Sequence, residues 1–179
     1  NMSDWESLKY NLYMGLGLGL SGIPYYGHDI GGFFGGHPDE KQFIRWCQSA
    51  VFQPRFVIHS WNEDGNPTEI WSYPNSQEII RELVELHYCF MPLIYNTAIE
   101  ASLTGIPMER PLALEFLKDE KLDPDSIHYL FGKDVLVLSA VEKDEVLCNC
   151  LLPAGFRWYD PDSGIFYNGG KEISLEYPY

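Results

Sequence analysis

The segment LSGIPYYGHDIGGFFG, residues 20–35, is the most informative stretch of this chain. Its apolar residues 23–28 predict a short buried strand, and Asp29 stands at the end of that strand. The two glycines that follow allow the backbone to approach a ligand closely, and the two phenylalanines after them offer flat apolar surface that suits a sugar ring. An acid between a strand and such a loop predicts a binding site.

A second strand is predicted over residues 56–59, and it ends in His59. Pro38 and the acids after it begin a helix between the two strands, because proline suits the first helical turn and acids favour its positive end. This alternation indicates a parallel sheet, in either an open doubly wound sheet or part of a closed (β/α) barrel. Ligands collect at the carboxyl ends of such strands, so we expect Asp29 and His59 to line one site.

Two further helices are predicted in the first part of the chain. Ser3 and Glu6 form a capping box for the first helix, which we expect to fade in the glycine-rich residues 15–19. A long later helix is expected to kink at Pro92 and to end at Gly105.

After about residue 105 the pattern changes from α/β alternation to antiparallel β-structure. Short β-type runs are separated by turn signals rich in Gly, Pro, Asp and Asn. The runs are residues 110–114, 135–138, 146–152, 156–159, 165–167 and 173–175.

Composition excludes several classes of partner. The chain has 179 residues, a formal charge of −14 and only 12 Lys and Arg, whereas phosphate-binding surfaces need clustered basic residues. We therefore expect neither a nucleic acid nor a membrane as partner. The four cysteines have neither zinc spacing nor a disulfide framework, and the histidines lack ligand spacing, so we expect no metal and no cofactor.

The chain begins with Asn1 rather than Met and leads almost directly into a helix signal. We interpret it as a segment of a longer protein. It offers no leader segment to interpret, and the cytoplasm is the compartment we favour.

Several further motifs follow one another along the chain. They are SGIPYYGHDIGGF (residues 21–33), EKQFIRWCQSAVF (40–52), PRFVIH (54–59), MERPL (108–112), YLFGKD (129–134), LPAG (152–155) and WYD (158–160). In this order they resemble glycoside hydrolase family 31, the retaining α-glycosidases that include α-glucosidases and α-xylosidases. The resemblance covers essentially the whole chain.

The resemblance implies an α/β plus all-β fold. Residues 1–106 would be the last part of the (β/α)8 TIM-type barrel, and residues 107–179 would be the antiparallel β-sandwich domain that follows it. In this family the general acid/base is the Asp of a Gly-Asp-Asn triplet, and Asn1 aligns with that Asn. The acid/base would then lie immediately before Asn1 and the nucleophilic Asp earlier still, so no catalytic carboxylate is expected in this chain.

The resemblance also implies roles for three side chains in binding substrate. Asp29 would be a sugar-binding or supporting carboxylate, His59 a hydrogen-bond donor to a sugar hydroxyl, and Phe33 an apolar wall. Each has a structural alternative: Asp29 as a cap for the glycine turn, His59 as a hydrogen-bonded core histidine and Phe33 as core packing.

The long loop of residues 60–74 could also rim the site, through Trp61, Asn62 and Asp64. Trp5 and Trp46 lie on helices, and we expect them to be structural. Many family members place Arg two residues before the His, where this chain has Val57, with Arg55 earlier. That departure leaves the fold unchanged and suggests a subgroup whose preferred sugar need not be glucose, so the substrate stays open.

Two functions are consistent with these residues. The first is a fragment of a retaining α-glycoside hydrolase that cleaves terminal α-linked sugars by double displacement, with a lyase as a related variant. The second is a non-catalytic carbohydrate-binding or structural homologue, which the residues before Asn1 would distinguish. Expected partners are a carbohydrate and the remainder of the parent chain. The fragment could self-associate, because part of a barrel leaves strand edges and apolar faces uncovered.

Overall fold

The computed structural model describes residues 2–177 of the chain. Its α-helices are α1 (Trp5–Leu20), α2 (Glu40–Ala50), α3 (Gln77–Cys89), α4 (Met91–Thr104) and α5 (Leu112–Glu115), and a 3₁₀ helix covers Ile70–Ser72. Its strands are β1 (Asp29–Ile30), β2 (Val57–Ile58), β3 (Glu109–Pro111), β4 (Tyr129–Phe131), β5 (Val135–Val137), β6 (Leu147–Leu151), β7 (Arg157–Asp160), β8 (Ile165–Asn168) and β9 (Glu172–Glu176).

Helix α1 differs from its prediction at both ends. Its cap is Asp4, not Ser3, and the Asp4 carboxylate accepts the Ser7 N–H at 2.7 Å. The helix also continues through its glycines to Leu20 instead of fading. The reason is close packing: a Cβ on Gly15 would lie 2.7 Å from the Tyr26 ring, and one on Gly19 would lie 2.9 Å from Pro107. Tertiary contact therefore outweighs the low helix propensity of glycine.

The α/β part contains one parallel strand pair with α2 between its strands. Strand β1 pairs with β2 in the register Asp29 to Val57 and Ile30 to Ile58. The strand predicted over residues 23–28 is wrong, because the hydrogen-bonded ladder begins only at Asp29. Helix α2 begins at Glu40, two residues after the predicted start at Pro38, and its N-cap is Asp39, whose carboxylate accepts the Gln42 N–H at 2.8 Å.

The long helix is divided into α3 and α4. The break falls at Phe90, and Pro92 occupies the first turn of α4, where its missing N–H costs no hydrogen bond. Gly105 ends α4 with φ of 76°, which favours glycine. The predicted proline effect and helix end are confirmed.

The C-terminal part consists of antiparallel strand pairs. Strands β3, β4 and β5 form one sheet, β6 pairs with β9, and β7 pairs with β8. Strand β4 and the short helix α5 were missed from the sequence, since residues 110–114 change from strand to helix after Pro111.

Two apolar clusters join the α/β part to the C-terminal strands. The first includes Leu8, Leu12, Ile30, Phe43, Trp46 and Val141, and the second includes Leu16, Ile94, Met108, Tyr129 and Phe131. Helix α1 contributes to both clusters. The arrangement, one parallel strand pair with helices followed by antiparallel strand pairs, agrees with the predicted α/β plus all-β fold class. A boundary between residues 106 and 107 stays a prediction.

A buried ion-pair network spans the same junction. Arg110, whose side chain is 1% exposed, donates to Glu100 of α4 and to Glu115 of α5, each at 2.7 Å. Its Nε also donates to the Pro107 carbonyl at 3.1 Å. Lys133 reaches the second oxygen of Glu100 at 2.7 Å, and these two cations hold the pKa of Glu100 below its ordinary value, with the Lys133 hydrogen bond as the larger cause.

No helix within residues 2–177 is both long enough and apolar enough to span a membrane.

Candidate carbohydrate-binding site

The register of the parallel strands brings the predicted acid and imidazole together. Asp29 lies beside Val57, and Arg55 and His59 flank Val57 at a spacing of two residues, which places all of them on one side of the strand pair. His59 Nδ1 is 3.8 Å from Asp29 Oδ1, and the Arg55 guanidinium donates to the same oxygen. The predicted convergence of Asp29 and His59 therefore occurs.

Exposure differs among these three side chains. The carboxylate of Asp29 is 19% exposed, whereas Arg55 is 54% and His59 is 64% exposed. Asp29 is thus the least exposed of the three, with two more exposed nitrogen-bearing side chains beside it.

Phe33 lies beside the imidazole. Its ring centroid is 5.2 Å from that of His59, with an interplanar angle of 57°, and its side chain is partly buried. This tilted contact limits the positions that the His59 ring can occupy. Phe33 therefore presents an apolar ring beside the imidazole, and its role as an apolar wall for a sugar stays a prediction.

The turn after β1 depends on its two glycines. Gly31 and Gly32 have φ of 86° and 83°, and the Gly32 N–H donates to the Asp29 carbonyl at 3.1 Å. A Cβ on Gly32 would lie 2.6 Å from backbone atoms of Met2. The sequence predicted that these glycines let a ligand approach the backbone closely. In the structure it is the Met2 backbone that approaches Gly32. The glycines help the site by holding the turn that carries Phe33.

His28, the residue before Asp29, supports the strand from the buried side. Trp46 Nε1 donates to His28 Nδ1 at 2.6 Å, which leaves the proton of the neutral ring on Nε2. The side-chain amide of Gln53 lies 2.8 Å from that Nε2. We assign the Gln53 oxygen to this contact, because Gln53 Oε1 otherwise has no partner.

Burial keeps this imidazole uncharged. His28 is 3% exposed, and desolvation lowers its pKa to about 3, with the charge of Arg55 as a smaller cause. The ring is therefore neutral at physiological pH and acts as a fixed hydrogen-bonding bridge behind Asp29. Trp46, fully buried in the same network, is structural as predicted.

The three candidate residues in the loop of residues 60–74 have different roles in the structure. Asn62 is buried, and its amide donates to the Asn66 carbonyl at 2.7 Å, so it shapes the loop. Asp64 accepts the Asn66 N–H at 2.9 Å, a bond that lowers its pKa. Trp61 is 57% exposed and stacks on Phe34, so of the three it presents the largest apolar surface.

Arg55 is the site residue that the sequence reasoning missed. The family pattern marks it only as an arginine two residues earlier than expected, although strand alternation places residues 55, 57 and 59 on one side. Strand alternation, together with a parallel neighbouring strand that begins at Asp29, places Arg55 close to Asp29. Gly27 allows the approach, since a Cβ there would lie 2.6 Å from Arg55.

Within residues 2–177, no group of three or more His, Cys, Asp or Glu side chains could hold a metal ion. Asn1, on which the expected position of the acid/base depends, lies outside the described residues.

Comparisons with known proteins match both parts of the chain. Residues 1–97 match the sequence profile of the glycosyl hydrolases family 31 TIM-barrel domain, and residues 105–179 match the glycosyl hydrolase family 31 C-terminal domain. A probable glucan 1,3-alpha-glucosidase of Arabidopsis thaliana is 34% identical over 99% of this chain and 19% of its own length. An alpha-glucosidase of Saccharolobus solfataricus is 37% identical over 97% of this chain and 25% of its own length.

A solved structure agrees with these matches. The family 31 alpha-xylosidase from a soil metagenome, complexed with xylose, has a TM-score of 0.91 and 30% identity over 98% of this chain and 29% of its own. The chain therefore spans about a fifth to a quarter of the length of these curated relatives. With two consecutive domain profiles covering nearly all of its residues, this chain belongs to glycosyl hydrolase family 31.

Proposed function

We propose that this chain is the sugar-binding part of a retaining α-glycoside hydrolase that removes terminal α-linked sugars. The two catalytic carboxyl groups are supplied by residues outside this chain, one as nucleophile and one as acid/base, about 5–5.5 Å apart. The chain itself contributes the groups that hold the sugar being cleaved. Its relatives named as α-glucosidase and α-xylosidase support this reaction class.

The observation that carries the proposal is the 3.8 Å separation of His59 Nδ1 and Asp29 Oδ1. This distance is too long for a direct hydrogen bond. It does allow one hydroxyl oxygen to lie about 2.8 Å from both atoms, donating to the carboxylate and accepting from the imidazole. A sugar hydroxyl can donate one hydrogen bond and accept another in this way.

Arg55 positions the carboxylate for this role. Its guanidinium holds Asp29 Oδ1, which fixes the side-chain rotamer before the sugar arrives. Phe33 then covers the C–H groups of the same sugar.

The test uses the full-length polypeptide that carries this chain, with α-glycosyl fluorides of glucose, xylose and N-acetylgalactosamine. We expect turnover of at least one, with an α-configured first product. Asp29→Ala should lower kcat/KM by about 100-fold or more, because hydrogen bonds to a charged group contribute about 1.5–3 kcal/mol each. Asp144→Ala, an exposed carboxylate in the C-terminal part, is the matched control and should change kcat/KM less than twofold.

Two outcomes would contradict the proposal. Absence of turnover with every α-glycoside from acid to neutral pH would favour the non-catalytic binding homologue. An unsaturated sugar product would indicate a lyase. We expect the 179-residue chain alone to hydrolyse nothing, so glycosidase activity from it would overturn the placement of the catalytic carboxylates.

We also propose that the remainder of the parent protein covers the apolar surface of α3 and α4. Large side chains there are strongly exposed, among them Tyr88, Tyr95 and Leu103 at 68%, 66% and 79%. Exposed apolar area of this extent is typical of interaction surfaces. The isolated chain is expected to bury it by self-association.

A further inference from the structure

The hydrogen-bonded side chains of Trp46, His28 and Gln53, here called the His28 bridge, have no role in the proposed function. His28 directly precedes Asp29, and consecutive side chains of an extended segment point to opposite sides, so the imidazole lies in the core behind the carboxylate. We propose that the His28 bridge is a positioning element that fixes where Asp29 and Arg55 lie and thereby sets the affinity for the sugar. This inference rests on the proposed function and deepens it.

The strand pair that carries the site is too short to position these side chains by itself. Strands β1 and β2 have two residues each, paired in the register Asp29 to Val57 and Ile30 to Ile58. A ladder of this length offers few backbone hydrogen bonds, and parallel pairing is slightly less stable per residue than antiparallel pairing. Asp29 is the first residue of β1, so the backbone before it lies outside the ladder. The contacts of that preceding segment therefore decide how firmly Asp29 is held.

The His28 bridge joins the segments that lead into both strands. Trp46 Nε1, on α2, donates to His28 Nδ1 at 2.6 Å, and the side-chain amide of Gln53 lies 2.8 Å from His28 Nε2. Gln53 comes two residues before Arg55, whose guanidinium donates to Asp29. One imidazole thus connects α2, the segment before β1 and the segment before β2.

Close packing couples the two segments. A Cβ on Gly27 would lie 2.6 Å from both the Cβ and the carbonyl oxygen of Arg55, so their backbones are in contact directly beside the bridge. The three side chains of the bridge are each at most 3% exposed. Because close-packed interiors transmit small displacements, loss of the bridge should move both Asp29 and Arg55.

The imidazole is held in one orientation. Its Nδ1 accepts a hydrogen bond and its Nε2 donates one, and the rings of Tyr26 and Trp46 contact it with centroid distances of 6.3 and 5.8 Å. Rotation of the ring would leave buried polar atoms unpaired, which is unfavourable. Removal of either hydrogen bond therefore releases the ring and the backbone that it anchors.

The test is a double-mutant cycle in the full-length polypeptide, with the α-glycosyl fluoride that it turns over. Gln53→Met has a similar length and removes the acceptor of the His28 Nε2 proton. It should lower kcat/KM about 5- to 50-fold, because a misplacement of about 1 Å costs up to about 100-fold. In the Asp29→Ala background the same change should alter kcat/KM less than twofold, since the group that the bridge positions is gone.

A second bridge variant and a matched control complete the cycle. Trp46→Phe removes the other hydrogen bond of the imidazole and keeps an aromatic ring, so it should behave like Gln53→Met in both backgrounds. Ile80→Val is the control, because Ile80 is fully buried in the same apolar cluster as Trp46 but lies on α3. It should lower the midpoint of urea unfolding and change kcat/KM less than twofold in either background.

The outcomes separate the two proposals. Absence of turnover by the unmodified protein, or an Asp29→Ala variant with unchanged kcat/KM, refutes the proposed function and the positioning role together. Where Asp29→Ala is impaired, the positioning role alone is refuted by unchanged kcat/KM in the bridge variants or by an equal loss in both backgrounds. Failure of both bridge variants to fold would assign the bridge to stability and also refute the positioning role.

Discussion

Replacing Glu109 by glutamine should change how the free energy of unfolding depends on pH. The Glu109 side chain is buried between β3 and α1, with 4% of the residue exposed, and a Cβ on Gly15 would lie 3.1 Å from its Oε2. Its Oε1 has no hydrogen-bond partner within the described residues. Burial raises the pKa of Glu109 from 4.5 to about 8, so the folded protein holds this carboxyl in its neutral form.

The raised pKa of Glu109 determines how the free energy of unfolding changes with pH. A carboxyl whose folded pKa is raised stabilises the protein fully below the unfolded value of 4.5, and this stability is lost as pH rises through about 8. The slope is about 1.4 kcal/mol per pH unit, because one proton is released on unfolding. Between pH 5 and pH 7.5 the wild type should therefore lose about 3 kcal/mol relative to Glu109→Gln.

The assay is urea unfolding of both proteins at several pH values, compared as a difference. The difference matters because burial lowers the pKa of His28 and His128, whose contributions to stability rise with pH and partly mask the effect in either protein alone. Tyr26 and Tyr129 face Glu109, and burial raises the pKa of both, so they stay protonated throughout. Glu120→Gln, on an exposed turn, is the control. A flat difference for Glu109→Gln across this range would refute the burial argument.

Three further predictions concern stability and assembly. Gly32→Ala should destabilise the chain by about 2–4 kcal/mol in urea unfolding, because its Cβ would overlap the Met2 backbone at a φ of 83°; a loss under 1 kcal/mol would contradict this packing. Arg110→Ala should cost about 2–4 kcal/mol, since it leaves Glu100 and Glu115 without their shared buried partner, whereas Arg81→Ala on the exposed surface of α3 should cost under about 1 kcal/mol. Equal costs would contradict the buried network. In size-exclusion chromatography the isolated chain should elute as an oligomer, and a compact monomer would contradict the proposed uncovered surface of α3 and α4.

Local signals in the sequence predicted many of the elements. Asp39 capped its helix, Pro92 divided the long helix and Gly105 ended it, because each acts through the backbone of its own or the next turn. Most of the C-terminal strands were found within one or two residues for the same reason: alternating side chains and turn residues are local features.

The errors arose where distant contacts decide the structure. Helix α1 persists through Gly15 and Gly19 because Tyr26 and Pro107 pack against them, and no local pattern reveals those neighbours. The prediction of a strand over residues 23–28 was wrong because a strand needs a hydrogen-bonded partner at the right register. Both features depend on the three-dimensional arrangement, which propensity does not encode.

In the candidate site, too, local signals were predictable from the sequence and contacts between distant residues were not. The types of its residues were predictable, since Asp29, Phe33 and His59 stand in motifs typical of the family. The ion pair of Arg55 with Asp29 and the bridge from His28 to Trp46 were not predicted, because each joins separate elements. The first contact depends on the parallel register of β1 and β2, and the second on the position of α2.

The most direct test of the central claim is a crystal structure of the full-length polypeptide with the sugar released by its own reaction. We expect Asp29 Oδ1 and a ring nitrogen of His59 to lie within about 3 Å of hydroxyl oxygens of that sugar, with the Phe33 ring against its C–H groups. A sugar bound with neither Asp29 nor His59 in hydrogen-bonding distance would contradict the account.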